Sequence, residues 1–217
     1  MAILAEGDVA RDALVRRGQW LSIATLLYNA VEAVVAIAAG TLAGSVALIG
    51  FGVDSGIELA ASFAALWRLN QDADIEKRER AEKLTHRVVG ALFLALAMYV
   101  TWDAGIALWR REIPDESTAG LLLAAASLLV MPLLARAKRN VGVRLGSRAL
   151  QSESNQTTLC AMLSAILLVG LGLNAILGWW WADPVAALSM VPIIAKEAFE
   201  GLRGEASCAD DLTGLSK

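Results

Sequence analysis

Asp54 and Glu58 stand four residues apart in the apolar stretch GFGVDSGIELAAS. In a helix this spacing puts both carboxyls on one face, one turn apart. A charged side chain at the centre of a membrane span costs about 2.5–3.5 kcal/mol on insertion scales. Two acids there need a cation, a proton or a basic partner, and no Lys or Arg is expected deep in a span to be that partner. Ser55 and Gly56, beside the pair, let a second helix or an ion come close. Asp54 lies about as far from Ser45, at one end of the stretch, as Glu58 does from Arg68 at the other, so both acids fall near mid-membrane.

A second polar cluster occurs in ALQSESNQTTLCAML. Gln156 and Cys160 are again four apart and reach a similar depth, counted from Ala149. Glu153 lies one turn nearer the cytoplasm, among Ser152, Ser154 and Asn155. This half-helix is too polar for lipid and is expected to line a water-filled opening toward the cytoplasm. If the two helices pack together, Asp54, Glu58, Gln156 and Cys160 form a site for a divalent transition metal. The sulfur biases such a site toward Zn²⁺ and away from Mg²⁺ or Ca²⁺. Carboxylate and thiolate must shed protons to bind a metal, so uptake would release protons. The plainer role for Gln156 is a hydrogen bond between helices, and Cys160 is also a common buried small residue.

Other intramembrane polar groups are candidates for support. Asn29 and Glu32 in the first span and Asp103 in the third could join the site or flank it, Glu32 as a supporting or proton-path acid. Asp183-Pro184 suits the start of a helix, Asp as the cap and Pro in the first turn. His86, the only histidine, falls at a span end and reads as interfacial, and segment 70–83 reads as a solvated loop or helix extension.

The elements that must position these groups are membrane helices. The chain has 217 residues and is 57% hydrophobic, above the 45–50% usual for soluble domains. The excess falls in six long runs, at 19–40, 44–68, 86–110, 117–136, 149–177 and 181–202. Each is long enough to cross a bilayer as a helix. Strand-like alternation is lacking, so a barrel is excluded. If the termini, the 69–86 loop and the 137–148 loop share one side, that side and its flanks hold 17 of the 19 Lys and Arg residues. The other side holds only Arg110 and Arg111, which puts both termini in the cytoplasm. Trp20 and Trp67 fall at inner ends and Trp109, Trp179, Trp180 and Trp181 at outer ends; Trp102 is the exception, inside the third span.

The expected class is therefore all-α: a six-helix polytopic transmembrane bundle, N-in/C-in, in the plasma (cytoplasmic) membrane. It divides into a cytoplasmic segment 1–18, a transport domain 19–202 and a short cytoplasmic tail 203–217. The N-terminus lacks the form of a signal peptide. Cys160 and Cys208 are too differently placed to make a disulfide framework. The basic residues lie beside spans, which excludes nucleic acid as a partner. No nucleophile–base pair or cofactor motif suggests an enzyme, and no permanently bound cofactor is expected.

AGSVALIGFGVDSGIELAAS resembles the second helix of the cation diffusion facilitator (cation efflux) family, ALQSESNQTTLCA its fifth, WWWADPVAAL the start of its sixth, and ALAMYVTWDAGIALW its third. The resemblance implies homodimers of six-helix protomers that export Zn²⁺ or a similar divalent metal from the cytoplasm against protons, by alternating access. It places the helix-two ligands at Asp54 and Glu58. The family's helix-five His and Asp fall on Gln156 and Cys160, neither of which is kept. The metal-sensing domain that usually follows helix six has no room in Gly201 to Lys217, so a short, membrane-only branch is expected. Two other readings stay open: a non-transporting metal- or partner-binding membrane protein on this fold, and a carrier of a non-metal substrate that uses the acids for protons.

Overall fold

A computed structural model describes the fold over residues 2–69 and 75–203. The side chains of Trp67, His86 and Ser152 and the segments 70–74 and 204–217, with the expectations placed on them, lie outside the described residues.

The described chain is six helices: α1 (Ala2–Ala43), α2 (Val46–Leu69), α3 (Ile75–Arg110), α4 (Thr118–Leu145), α5 (Arg148–Leu177) and α6 (Ala182–Arg203). Among the described residues the helix runs unbroken from Ala2 through the first span, so α1 is one 42-residue helix. Among the described residues, parts of α1, α3, α4 and α5 are each long and apolar enough to cross a membrane. Helix α2 is held inside by its neighbours, packing on α1, α3, α5 and α6.

The polarity of the bundle is inverted relative to a soluble protein. Trp20, Ile23, Leu27, Val31 and Val34 form an exposed stripe along α1, at the 3–4 residue spacing of one helix face. Leu122, Leu129 and Leu133 do the same on α4. Trp102 belongs to a similar stripe on α3, with Met98 and Trp109, which explains a tryptophan within a span. Asn29, Glu32, Asp54, Ser55, Glu58, Ser127, Lys138, Ser154, Thr157 and Asp183 are buried. Large exposed apolar faces around a polar interior suit lipid outside and a polar path within.

In lipid, helices associate by close van der Waals packing, which favours small residues at crossings. A Cβ added to Gly52 would lie 2.8 Å from Ile37 Cγ1 and 2.9 Å from Ala36 Cβ, so this glycine sets how near α2 comes to α1, two residues before Asp54. At Gly90 an added Cβ would lie 2.5 Å from the Leu202 backbone nitrogen, which fixes the α3–α6 crossing.

Two local devices set the ends. Helix α4 stops at Gly146, whose φ of 63° is the left-handed conformation glycine adopts without a Cβ penalty. Ser147 follows at once and caps α5, its Oγ accepting from the Leu150 amide. The turn is so tight that α4 and α5 run side by side. At the opposite end, Asp183 departs from the expected cap of its own helix. It is fully buried; its Oδ1 accepts from Ser45 Oγ at 2.5 Å, and its Oδ2 from the Val46 amide at 2.9 Å. Asp183 therefore caps α2, satisfying amide groups that a helix start leaves open. It ties the starts of α2 and α6 to one level.

Candidate metal centre

The site is assembled on α2. Asp54 and Glu58 project from one face, as their spacing requires, and α5 brings Cys160 against them. Cys160 Sγ donates to Glu58 Oε2 at 3.2 Å. One ligand atom each from Asp54, Glu58 and Cys160 lies within 4.8 Å of the others, and all three residues are buried. Helix α1 adds Asn29, whose Nδ2 donates to the same Glu58 oxygen at 3.0 Å.

Two buried oxygens, Asp54 Oδ2 and Asn29 Oδ1, have no hydrogen-bond partner among the described residues. Buried polar atoms are nearly always paired, because stripping one of water without replacement costs free energy. An unpaired carboxylate oxygen beside a second carboxyl and a thiol is a donor set that could hold a metal ion. Gln156, Asp54 and Glu58 also share a small cavity between α2, α3, α5 and α6. It offers about 10 Å³ to the centre of a water-sized sphere, enough for about one water or one bare ion.

The other expected residues divide. Glu32 is fully buried one turn along α1 from Asn29. It accepts from Ser55 Oγ at 2.8 Å and from Ser127 Oγ, which also bonds Tyr28 Oη at 2.9 Å. Through Ser55 it braces α2 next to Asp54, and it stands outside the three-ligand cluster. Asp103 does not reach the site; it sits half-buried on α3 and accepts from Tyr99 Oη at 3.2 Å. It stands one turn from Tyr99 on α3, outside the cluster of Asp54, Glu58 and Cys160.

Glu153 differs from the free acid expected at an inner opening. Lys138 Nζ lies 3.2 Å from Glu153 Oε2, and Ser22 Oγ donates to the same oxygen at 2.7 Å. Lys138 is 2% exposed and also donates to Thr157 Oγ1 at 3.4 Å. A basic residue is thus buried within the bundle, just past the expected inner end of the fourth span. Helix α4 continues well past residue 136, and Lys138 follows Met131 and Ala135 along its buried face. The polar half of α5 is largely consumed by protein partners: Ser154 Oγ donates to the Ala135 carbonyl at 2.9 Å and Thr157 Oγ1 to the Glu153 carbonyl at 2.8 Å. Gln156, half-buried, is left facing the cavity.

Sequence reasoning missed two residues. Lys138 falls in the expected 137–148 loop, where charges follow the apolar run. Glu197 of α6 lines the same cavity as Asp54, Glu58 and Gln156; in sequence it stands between Lys196 and Glu200, among the charges at the end of a span. The available signal was its place beside the buried run Met190, Ile194 and Ala198.

Residues 22–207 match the model of the cation efflux transmembrane domain. This chain belongs to the cation efflux family. It is therefore an integral membrane protein of a cation-transporter family, in agreement with the resemblance read from α2, α3, α5 and α6. A curated relative from Synechocystis, described as an uncharacterized transporter, is 28% identical over 160 residues. The match covers 71% of this chain and 52% of that protein, so the chain spans about half the length of the curated relative it matches.

Proposed function

We propose that this cation efflux protein moves a divalent transition-metal ion, Zn²⁺ foremost, out of the cytoplasm in exchange for protons. The observation that carries the reading is the buried meeting of Asp54, Glu58 and Cys160, with one Asp54 oxygen unpartnered. Two carboxylates and a thiolate supply the charge and softness that Zn²⁺ prefers, and Gln156 offers an amide oxygen from the cavity wall. Asn29 holds Glu58 in place.

The same geometry suggests the coupling. The Cys160 thiol proton points to Glu58, so metal can occupy the cluster only after that proton leaves. Proton return to Cys160 and the carboxyls would expel the metal on the other side, which is alternating access driven by protons. The distribution of Lys and Arg orients the protein with both termini in the cytoplasm. We assign it to the plasma membrane as a homodimer, with transport residing in 19–202.

The test is Zn²⁺ uptake into proteoliposomes of purified protein whose lumen, standing for the cell exterior, is made acid. Saturable uptake that stops when an ionophore collapses the pH gradient is expected. Stoichiometric Zn²⁺ binding with no flux under any gradient would point instead to a non-transporting metal-binding protein. Flux of another solute, indifferent to divalent ions, would point to a non-metal carrier.

A further inference from the structure

Asp183 and Ser45 touch, so the starts of α2 and α6 share one level and depths along the two helices can be compared directly. At about 1.5 Å per residue, Asp54 lies about 14 Å from that level, Glu58 about 20 Å and Glu197 about 21 Å. Glu197 is thus at the depth of Glu58, across the cavity and one turn to the inner side of Asp54. The same cavity carries the carboxyls of α2, the Gln156 amide and the apolar side chains of Phe93, Leu163 and Ile194. Neighbouring Lys196 pairs with Glu200 at 3.6 Å and leaves Glu197 to the cavity wall. The unpartnered Asp54 Oδ2, on a residue only 4% exposed, independently marks this space as a receiving site.

We propose that Glu197 is a further carboxylate of the cation path, level with Glu58 and one turn inward of Asp54, which takes the ion across the cavity and hands it to the cluster of Asp54, Glu58 and Cys160. The inference rests on the proposed transport of a divalent metal. A space sized for about one water cannot admit a hydrated divalent ion, so the ion must exchange water for protein oxygen as it enters. The apolar walls offer no such oxygen. Glu197 and Gln156 do, and of these only Glu197 brings charge from α6. Pro192, inside α6 and just over one turn before Glu197, cannot donate to the carbonyl four residues back, which lets this wall yield as the ion passes.

The experiment pairs transport kinetics with equilibrium binding on the same purified protein. Glu197→Gln is expected to raise the KM for Zn²⁺ uptake about tenfold. Zn²⁺ affinity measured by calorimetry should stay within about threefold of wild type, because the cluster itself is intact. Glu197→Asp, which keeps the charge, should recover most of the KM. Glu197→Ala, which also removes the charge, decides the matter if the Gln variant does not fold, an unchanged KM there counting against the proposal. KM and kcat both within about twofold of wild type in Glu197→Gln would overturn it. So would loss of equilibrium binding as deep as that of Asp54→Asn, since Glu197 would then be part of the cluster and not a relay to it. Asp54→Asn, run alongside, separates the two claims. If it loses binding while Glu197→Gln is silent, only the relay fails. If it too behaves as wild type, the metal site fails and the relay with it.

Discussion

Asp54→Asn is expected to abolish transport: Zn²⁺ uptake should fall at least about 100-fold and Zn²⁺ affinity with it, while the folded bundle should become no less stable. The two halves of this result have one cause. Asp54 Oδ2 has no hydrogen-bond partner among the described residues, so that oxygen does nothing to hold the helices together. A buried carboxylate without a partner costs free energy, and the nearly isosteric amide removes that charge. A structural acid behaves the opposite way. Asp183, which accepts from Ser45 and from two amides of α2, would destabilise the bundle when neutralised. Thermal melting in detergent beside proteoliposome uptake measures both halves. Retained transport in Asp54→Asn contradicts the mechanism; lost transport with a collapsed melting temperature assigns Asp54 to the scaffold.

Cys160→Ser changes which ion is preferred. The hydroxyl fits the volume of the thiol and can keep the hydrogen bond to Glu58, so folding is preserved. It replaces a soft donor with a hard one. Affinity for Zn²⁺ and Cd²⁺ is expected to fall by about tenfold or more, while that for Mn²⁺ changes little, because thiolate favours the softer ions. Competition calorimetry reads the ratio directly. An equal loss for all three ions would mean that Cys160 shapes the site without touching the metal.

Much of the site is legible in the chain itself because helical spacing is a local property. Asp54 with Glu58, and Gln156 with Cys160, are each four apart, and a helix permits only one arrangement for such pairs. Their common depth follows from counting inward from charged span ends. That α2 and α5 meet at these faces is a tertiary fact that spacing allows and does not require. The misreadings share a physical reason. Lys138 and Glu197 stand where charges resume after an apolar run, and a run of charges reads as the edge of the membrane. The helices continue past that edge, and the phase of α4 and α6 turns these two residues inward while Arg139 and Lys196 face out. Asp183 shows the other gap: its partners lie 137 residues away in sequence at Val46 and 138 at Ser45, and no local pattern carries such a pairing.

The Lys138–Glu153 pair also changes how the inner side is understood. It pairs the acid expected to line the inner opening and leaves Glu197, with Asp54 and Glu58, among the carboxylates lining the cavity. The polar start of α5 is an α4–α5 seam as much as a water-lined wall.

The central claim is that Asp54, Glu58 and Cys160 bind the transported ion together. X-ray absorption at the metal edge of the Zn²⁺-loaded protein tests it most directly. One sulfur at about 2.3 Å and oxygen ligands at about 2.0–2.2 Å are predicted, with the sulfur lost in Cys160→Ser and binding lost in Asp54→Asn. A stoichiometric Zn²⁺ shell that keeps its form in both variants would contradict the account.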